Sequence, residues 1–400
     1  MRPVKAALLA TATAAGLLAS SGAWADARVG ATVGVRGGYA TNPYSSGANS
    51  TGSGTLTGTF SPTIELASPT GSTSISGDIS HTEFTQKHYD GATNYNADVR
   101  TAQQIAPTIS MTGGAGYSSV FRNALFANLD PNNPPGGPDD PIIVDPSGAA
   151  TYGQRTKSWY GNLGMTFTLS PRDNLSINGQ ASQVDFSGSS LGLTQDFDTV
   201  SGGFSYMRVL NPTTSLGLGV NMSRSNYHDM RFGDGTQISP TLILDTRFSS
   251  RWSLNLNVGL TFSDTKLLIG SAHRTAFSGS ATLCNQGSRS NFCLNGSRSV
   301  APTALSGIST VTMIGANYRY RVSSRDDVTA NVSYSNSKRI YGIFSEDYDY
   351  ITARVNYGRR LADRLSANVS LTYSDAYSSF INRSANIWGT IGISYRLGDI

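Results

Sequence analysis

The chain has 400 residues, of which 38% are hydrophobic and only 14% charged, with 43 Gly and 19 Tyr. This composition lacks both the helix-forming charges and the Leu/Ala core of a soluble α/β enzyme, and beyond the N-terminus no run approaches the roughly 18 apolar residues of a helical membrane span. The formal net charge of +4 is too small to argue for nucleic-acid binding.

Residues 1–25 carry Arg2 and Lys5, then an uncharged apolar run from Ala6 to Ala19, then Ala23-Trp24-Ala25. A basic start, an apolar centre and an A-x-A end are the parts of a cleaved secretory signal. Cleavage is expected after Ala25, leaving one domain over 26–400. Alternation begins at once: Val33, Val35, Gly37 and Tyr39 point one way, small or polar neighbours the other, until Asn42-Pro43 stops the pattern.

The same period recurs down the chain. Leu56, Gly58, Phe60, Ile64 and Leu66 form one set, and Ile75, Gly77 and Ile79 the next. A "TGGA" turn at 112–115 is expected to split 97–127 into two strands. Trp159, Leu163, Met165, Phe167 and Leu169 follow; in 196–210 Val200, Phe204 and Tyr206 oppose Met207 and Val209, which predicts a bulge or a displaced boundary there. Trp252, Leu254, Leu256, Val258, Leu260 and Phe262 alternate with Ser, Asn, Gly and Thr, as do Leu365 to Tyr373 and Ile387 to Leu397. Such strands reach the roughly 9–11 residues that cross a bilayer at a tilt, beyond the usual 5–6 of soluble sheets.

The connections alternate as well. "SPTG" (68–71), "SPRDN" (170–174), "NPTTS" (211–215), "SSRW" (249–252), "SSRDD" (323–327) and "LADRL" (361–365) are tight reversals. Between them lie longer stretches at 41–53, 87–96, 129–155, 187–195, 227–236 and 267–304. Short periplasmic turns opposite long extracellular loops predict an all-β fold, a transmembrane up-and-down antiparallel β-barrel of about 16 strands (about 14–18) in the outer membrane of a Gram-negative bacterium.

An alternating strand running into Gly37-Gly38-Tyr39 and Asn42-Pro43-Tyr44, with turns such as Leu-Ser-Pro-Arg-Asp and Ala-Asp-Arg-Leu, resembles the outer-membrane β-barrel porin family found with exopolysaccharide and capsule assembly operons. The likeness departs at Thr41, where that family more often has an acid, and at the C-terminal "ISYRLGDI", which lacks a terminal aromatic residue. The resemblance implies a passive conduit associated with polysaccharide export, with polysaccharide and periplasmic export components as partners. A general or anion-biased diffusion porin and a surface structural or adhesion barrel are the alternatives. Outer-membrane lipids, lipopolysaccharide and the barrel-assembly machinery are the partners expected of any such barrel.

Register places Arg100, Arg247, Arg319, Arg321 and Arg354 on the polar, lumen side, with Arg364, Arg396 and the acids Asp78 and Asp245. Clustered Arg biases a pore toward anions, whereas Arg paired with carboxylates does not, and both readings stand. Trp159, Phe248, Trp252, Tyr318, Tyr320, Tyr357, Tyr373 and Tyr395 fall on the lipid side, where aromatic rings settle at the headgroups. Tyr160 and Trp388 fall inside, either as packing or as platforms for saccharide stacking.

Cys284 and Cys293, within the long loop 267–304, read as a disulfide closing a small surface loop, one able to fold into the pore or cap it. Acids in the Pro-rich stretch 130–148 are either solvated or weak ligands for cations bridging lipopolysaccharide. Only four His exist, His81, His88, His228 and His273, and His228 and Asp229 point to opposite faces of a strand. No nucleotide or zinc-helix motif is present, so neither an enzyme nor a cofactor is expected.

Overall fold

In a computed structural model of the chain, residues 26–44, 51–121, 154–187, 195–228, 233–266, 270–302, 308–341, 344–378 and 384–398 are described. The expected signal segment, the stretch 130–148, Asp229 and Ile400 lie outside them. The strands are β1 (Asp26–Ala40), β2 (Ser53–Ser68), β3 (Gly71–Phe84), β4 (Ala92–Ala106), β5 (Ile109–Phe121) and β6 (Arg155–Ser170). There follow β7 (Asp173–Ser187), β8 (Phe197–Asn211), β9 (Thr214–Tyr227), β10 (Gly235–Arg247), β11 (Trp252–Lys266) and β12 (Ser271–Gln286). The last are β13 (Ser290–Pro302), β14 (Ile308–Arg321), β15 (Asp326–Tyr341), β16 (Phe344–Arg360), β17 (Leu365–Ser378) and β18 (Asn386–Gly398).

Every strand pairs antiparallel with its chain neighbours, and β1 also pairs with β18, closing an 18-stranded up-and-down barrel. Closure removes the edges that would leave backbone N–H and C=O groups unpaired in lipid. Exposure is inverted relative to a soluble protein. Leu218, Ile314 and Ile391 are 63%, 61% and 68% exposed on the outer face, an arrangement that only a hydrocarbon surround makes favourable. The architecture is that of an outer-membrane barrel.

Two rings of aromatic residues bound the apolar belt. At the end of the short turns, Tyr206 donates its hydroxyl to Asp173 at 2.5 Å and Tyr357 donates to Asp326 at 2.7 Å. At the opposite end Tyr95, Tyr117 and Trp159 stand side by side on β4, β5 and β6, with centroids 6.0 and 4.2 Å apart. Anchoring the polar tip while the ring stays in lipid suits the headgroup level.

Two expectations need correction, and a third finds its irregularity at the end of its stretch. Gly113 and Gly114 are not a turn: they lie inside β5, and the reversal falls at Ala106–Ile109, where the register also shifts. The stretch 267–304 is not one long loop, because β12 and β13 run through it and turn at Gln286–Ser290. Those two strands raise the count from about 16 to 18. In 196–210 the ladder runs unbroken to Val209, so Met207 and Val209 face the lumen, and the shift comes only between Val209 and Asn211 at the turn.

One ladder is short. β12 and β13 pair over Gly279–Gln286 and Asn291–Arg298, while β12 pairs with β11 from Ser271 onward and β13 with β14 up to Pro302. The extracellular part of β13 thus parts from β12 and follows β14.

Candidate functional site

Because side chains alternate along each strand, the lumen wall can be read directly from the registers. Inward positions on β6 to β11 are mostly Ser, Thr, Asn, Gln and Gly, such as Asn162, Asn178, Ser201, Asn221, Thr241 and Asn257. Hydroxyls knit neighbouring strands: Thr57 and Thr82 are 2.9 Å apart, Ser239 and Thr261 2.8 Å, and Ser370 and Thr390 2.7 Å. These side chains are short and satisfied by one another or by water, so they fill little of the bore.

Apart from Asp245 and Arg247 at the turn end of β10, charge is concentrated in the other part of the wall. Arg36 on β1, Arg100 on β4, Arg319 and Arg321 on β14 and Arg354 on β16 all occupy inward register positions, as does Arg247 at the end of β10. Arg100 Nε lies 3.1 Å from Asp98, and Arg319 lies 3.5 Å from Asp327 near the turn end. Asp78 accepts a hydrogen bond from Ser61 at 2.7 Å, and Asp245 accepts one from Asn255. Arg36 packs where a Cβ on Gly392 would sit, so that glycine gives the guanidinium stem its place against the wall. Arg36 escaped the sequence reading because it lies in a Gly-rich strand whose apolar face drew attention.

The two candidate stacking residues differ in what they offer. Tyr160 lies across Gly116 of the neighbouring strand, its Cζ and hydroxyl 2.5 Å from where a Cβ would be, and so covers a bare patch of backbone. Trp388 is 3% exposed. Its indole N–H donates to Thr55 at 3.2 Å and its ring packs with Ala40 and Phe84. The expectation of Trp388 as a saccharide platform is therefore corrected: the ring is part of the wall and has no free face.

The start of β14 covers part of the inner wall. Gly235 faces inward on β10, and a Cβ there would meet the Ile308 side chain, although three strands separate β10 from β14 in the ring. Ile308 therefore reaches the inner wall from inside the lumen. Ser309, Thr310 and Val311 are consecutive and all buried, so both faces of the strand are covered, and the inward residues Gln237, Thr261, Ser263, Ala276 and Ser278 on β10 to β12 are buried as well. The short β12–β13 ladder is what frees this start of β14 to lean inward. The disulfide Cys284–Cys293 does form, but across the turn-end half of β12–β13 and facing the lumen, opposite the outward pair Leu283 and Leu294. It closes a tight hairpin at the short-turn end, not a small loop at the cell surface.

No family model matches the sequence, and no curated protein matches it. Among solved structures it is similar to OccK2 (OpdF) of Pseudomonas aeruginosa in complex with glucuronate, at 10% identity and a TM-score of 0.48, over 95% of this chain and 100% of that one. OccK9 (OpdG) of the same organism gives 12% identity and 0.48 over 95% and 100%. The siderophore receptor PirA of Acinetobacter baumannii gives 8% and 0.45 over 92% and 80%. At these values the likenesses say no more of this chain than its own strands do.

The histidines find partners the sequence did not pair. His228 lies 2.9 Å from Asp198 on β8, a residue thirty positions away. His81 sits between Thr93 and Glu83, at 2.8 Å from each, and His273 lies 3.3 Å from Asp264.

Proposed function

We propose that the chain is a passive outer-membrane diffusion channel for small polar solutes, with a bias toward anions. The observation that carries this reading is the inner wall of an 18-stranded ring, lined by short polar side chains on one part and by Arg on the other. Rings of this strand number leave an aqueous bore, and fixed guanidinium groups raise the local concentration of anions. The inward-leaning start of β14 sets the size limit.

The export conduit implied by the family resemblance is less well supported. A polymer conduit calls for stacking surfaces along the bore, and Trp388 is buried in the wall. An adhesion barrel would call for bulky inward side chains, and those here are small.

Planar-bilayer recording of the refolded chain 26–400 tests the proposal. Steady conductance, a reversal potential biased to anions in a KCl gradient, and indifference to an added anionic oligosaccharide are expected. Conductance that the oligosaccharide blocks would favour the export conduit. No conductance would overturn both channel readings.

A further inference from the structure

Chemistry-bearing side chains also gather outside the lumen, at the extracellular ends of β7, β8 and β9. Continuing the registers one step past Val184–Phe197 and Phe197–Tyr227 puts Asp185, Asp196 and His228 in one row across three strands, on the outer face. The backbone agrees with that row. The His228 N–H donates to the Asp196 carbonyl at 3.0 Å, and the Phe186 N–H donates to Asp196 Oδ1 at 2.7 Å. One ligand atom of each of the three residues lies within 4.8 Å of the other two.

A fourth residue points to what the row is for. Asp198, two positions along β8 on the same face, sets Oδ2 at 2.9 Å from His228 Nε2; its side chain is 7% exposed. Its other oxygen, Oδ1, is buried with no hydrogen-bond partner. Carboxylates placed opposite one another across strands repel, and burying them uncompensated is costly. Lys157 continues the row on β6 opposite Asp185 and brings one positive charge, and Gln183 donates to both Asp185 oxygens at 2.9 and 3.0 Å. Three carboxylates still surround one imidazole.

We propose that Asp185, Asp196 and His228 bind a single divalent transition-metal cation of the zinc class, with Asp198 as the positioning residue that orients the imidazole. An imidazole with carboxylates suits zinc, whereas all-oxygen shells suit calcium and magnesium. Carboxylate–histidine pairs behind such ligands fix the ring and raise its basicity. The bound ion ties the ends of three consecutive strands together at the cell-surface rim and stabilises the barrel by mass action.

The test is calorimetric titration of ZnCl2 into refolded, chelator-stripped protein, with heat-modifiable gel mobility as the check of folding and CoCl2 absorption in the visible as a second readout on the wild type. One equivalent of saturable binding is expected, with a tetrahedral or five-coordinate Co2+ spectrum. Binding is lost in His228→Ala, weakened about 10–100-fold in Asp198→Asn, and unchanged in His273→Gln at the separate His273–Asp264 pair. Full-affinity binding by folded His228→Ala would overturn the proposal. So would a wild type that takes up no Zn2+ saturably and shows no Co2+ spectrum, a result that needs no variant to fold.

Discussion

Cys284 and Cys293 stand directly opposite each other across the β12–β13 ladder, their Cα atoms 4.1 Å apart, and their disulfide lies in the only part of that ladder that is paired. Above it the two strands part, and Ile308 at the start of β14 reaches the wall at Gly235. The bridge thus holds the wall shut at the point below which it has to stay closed.

Replacing both cysteines by Ser should lower stability by about 2–3 kcal/mol, the chain-entropy value for so small a loop. Hydrogen exchange should quicken first in Gly279–Gln286 and Asn291–Arg298, and mass spectrometry of the refolded double variant would show it. Uniform quickening around the barrel would mean that the bridge has no local role.

Arg36→Gln with Arg354→Gln should move the reversal potential in a KCl gradient toward cations. Arg319→Gln should move it less, because Arg319 is exposed at the turn end and salt screens it there. Equal shifts from the two sets would show that the mouth sets selectivity as much as the mid-bore does.

Gly235→Val forces a side chain into the space that Ile308 occupies. The start of β14 should be pushed from the wall of β10, changing single-channel conductance and raising its noise. A trace indistinguishable from wild type would mean that Ile308 and its neighbours do not limit the bore.

Trp388→Ala should cost about 3–5 kcal/mol through the cavity it leaves, seen as a lower midpoint in denaturant. Conductance in the bilayer should stay indifferent to added oligosaccharide, as in the wild type. A variant as stable as wild type would contradict the packing of Trp388 on Ala40 and Phe84.

Tyr44 lies beyond β1 and stacks on Tyr89 at 4.9 Å, and burial, followed by the charge of Asp90, pushes its phenol up to about 12. The folded state therefore keeps this proton where the unfolded state, with a Tyr pKa of about 10, loses it. Stability contributed by the neutral phenol is complete below about pH 10 and falls away toward about pH 12. Denaturation midpoints across that range should drop less in Tyr44→Phe than in wild type.

The barrel was legible because its rule is local: period-2 alternation shows which residues meet lipid, and Pro, Asn and Asp mark the reversals, as in β11 and in the turns at 170–174 and 323–327. The rule failed where local chemistry was ambiguous. Gly113-Gly114 has turn composition, yet β4 and β6 on either side hold it extended. β12 and β13 carry Ser, Gly and Cys with little alternation, so nothing in their own residues separated them from a loop.

The sequence by itself determined the class of fold and, for the strands with clear alternation, the face shown to lipid and most of the residues that look inward, because these depend on side-chain parity along one strand. Only the tertiary structure decided the strand number of 18, the inward lean of Ile308 toward Gly235 and the meeting of Asp185, Asp196 and Asp198 with His228. Those depend on pairing between strands far apart in the chain, where register and ring closure bring together residues whose own neighbours carry no sign of the contact.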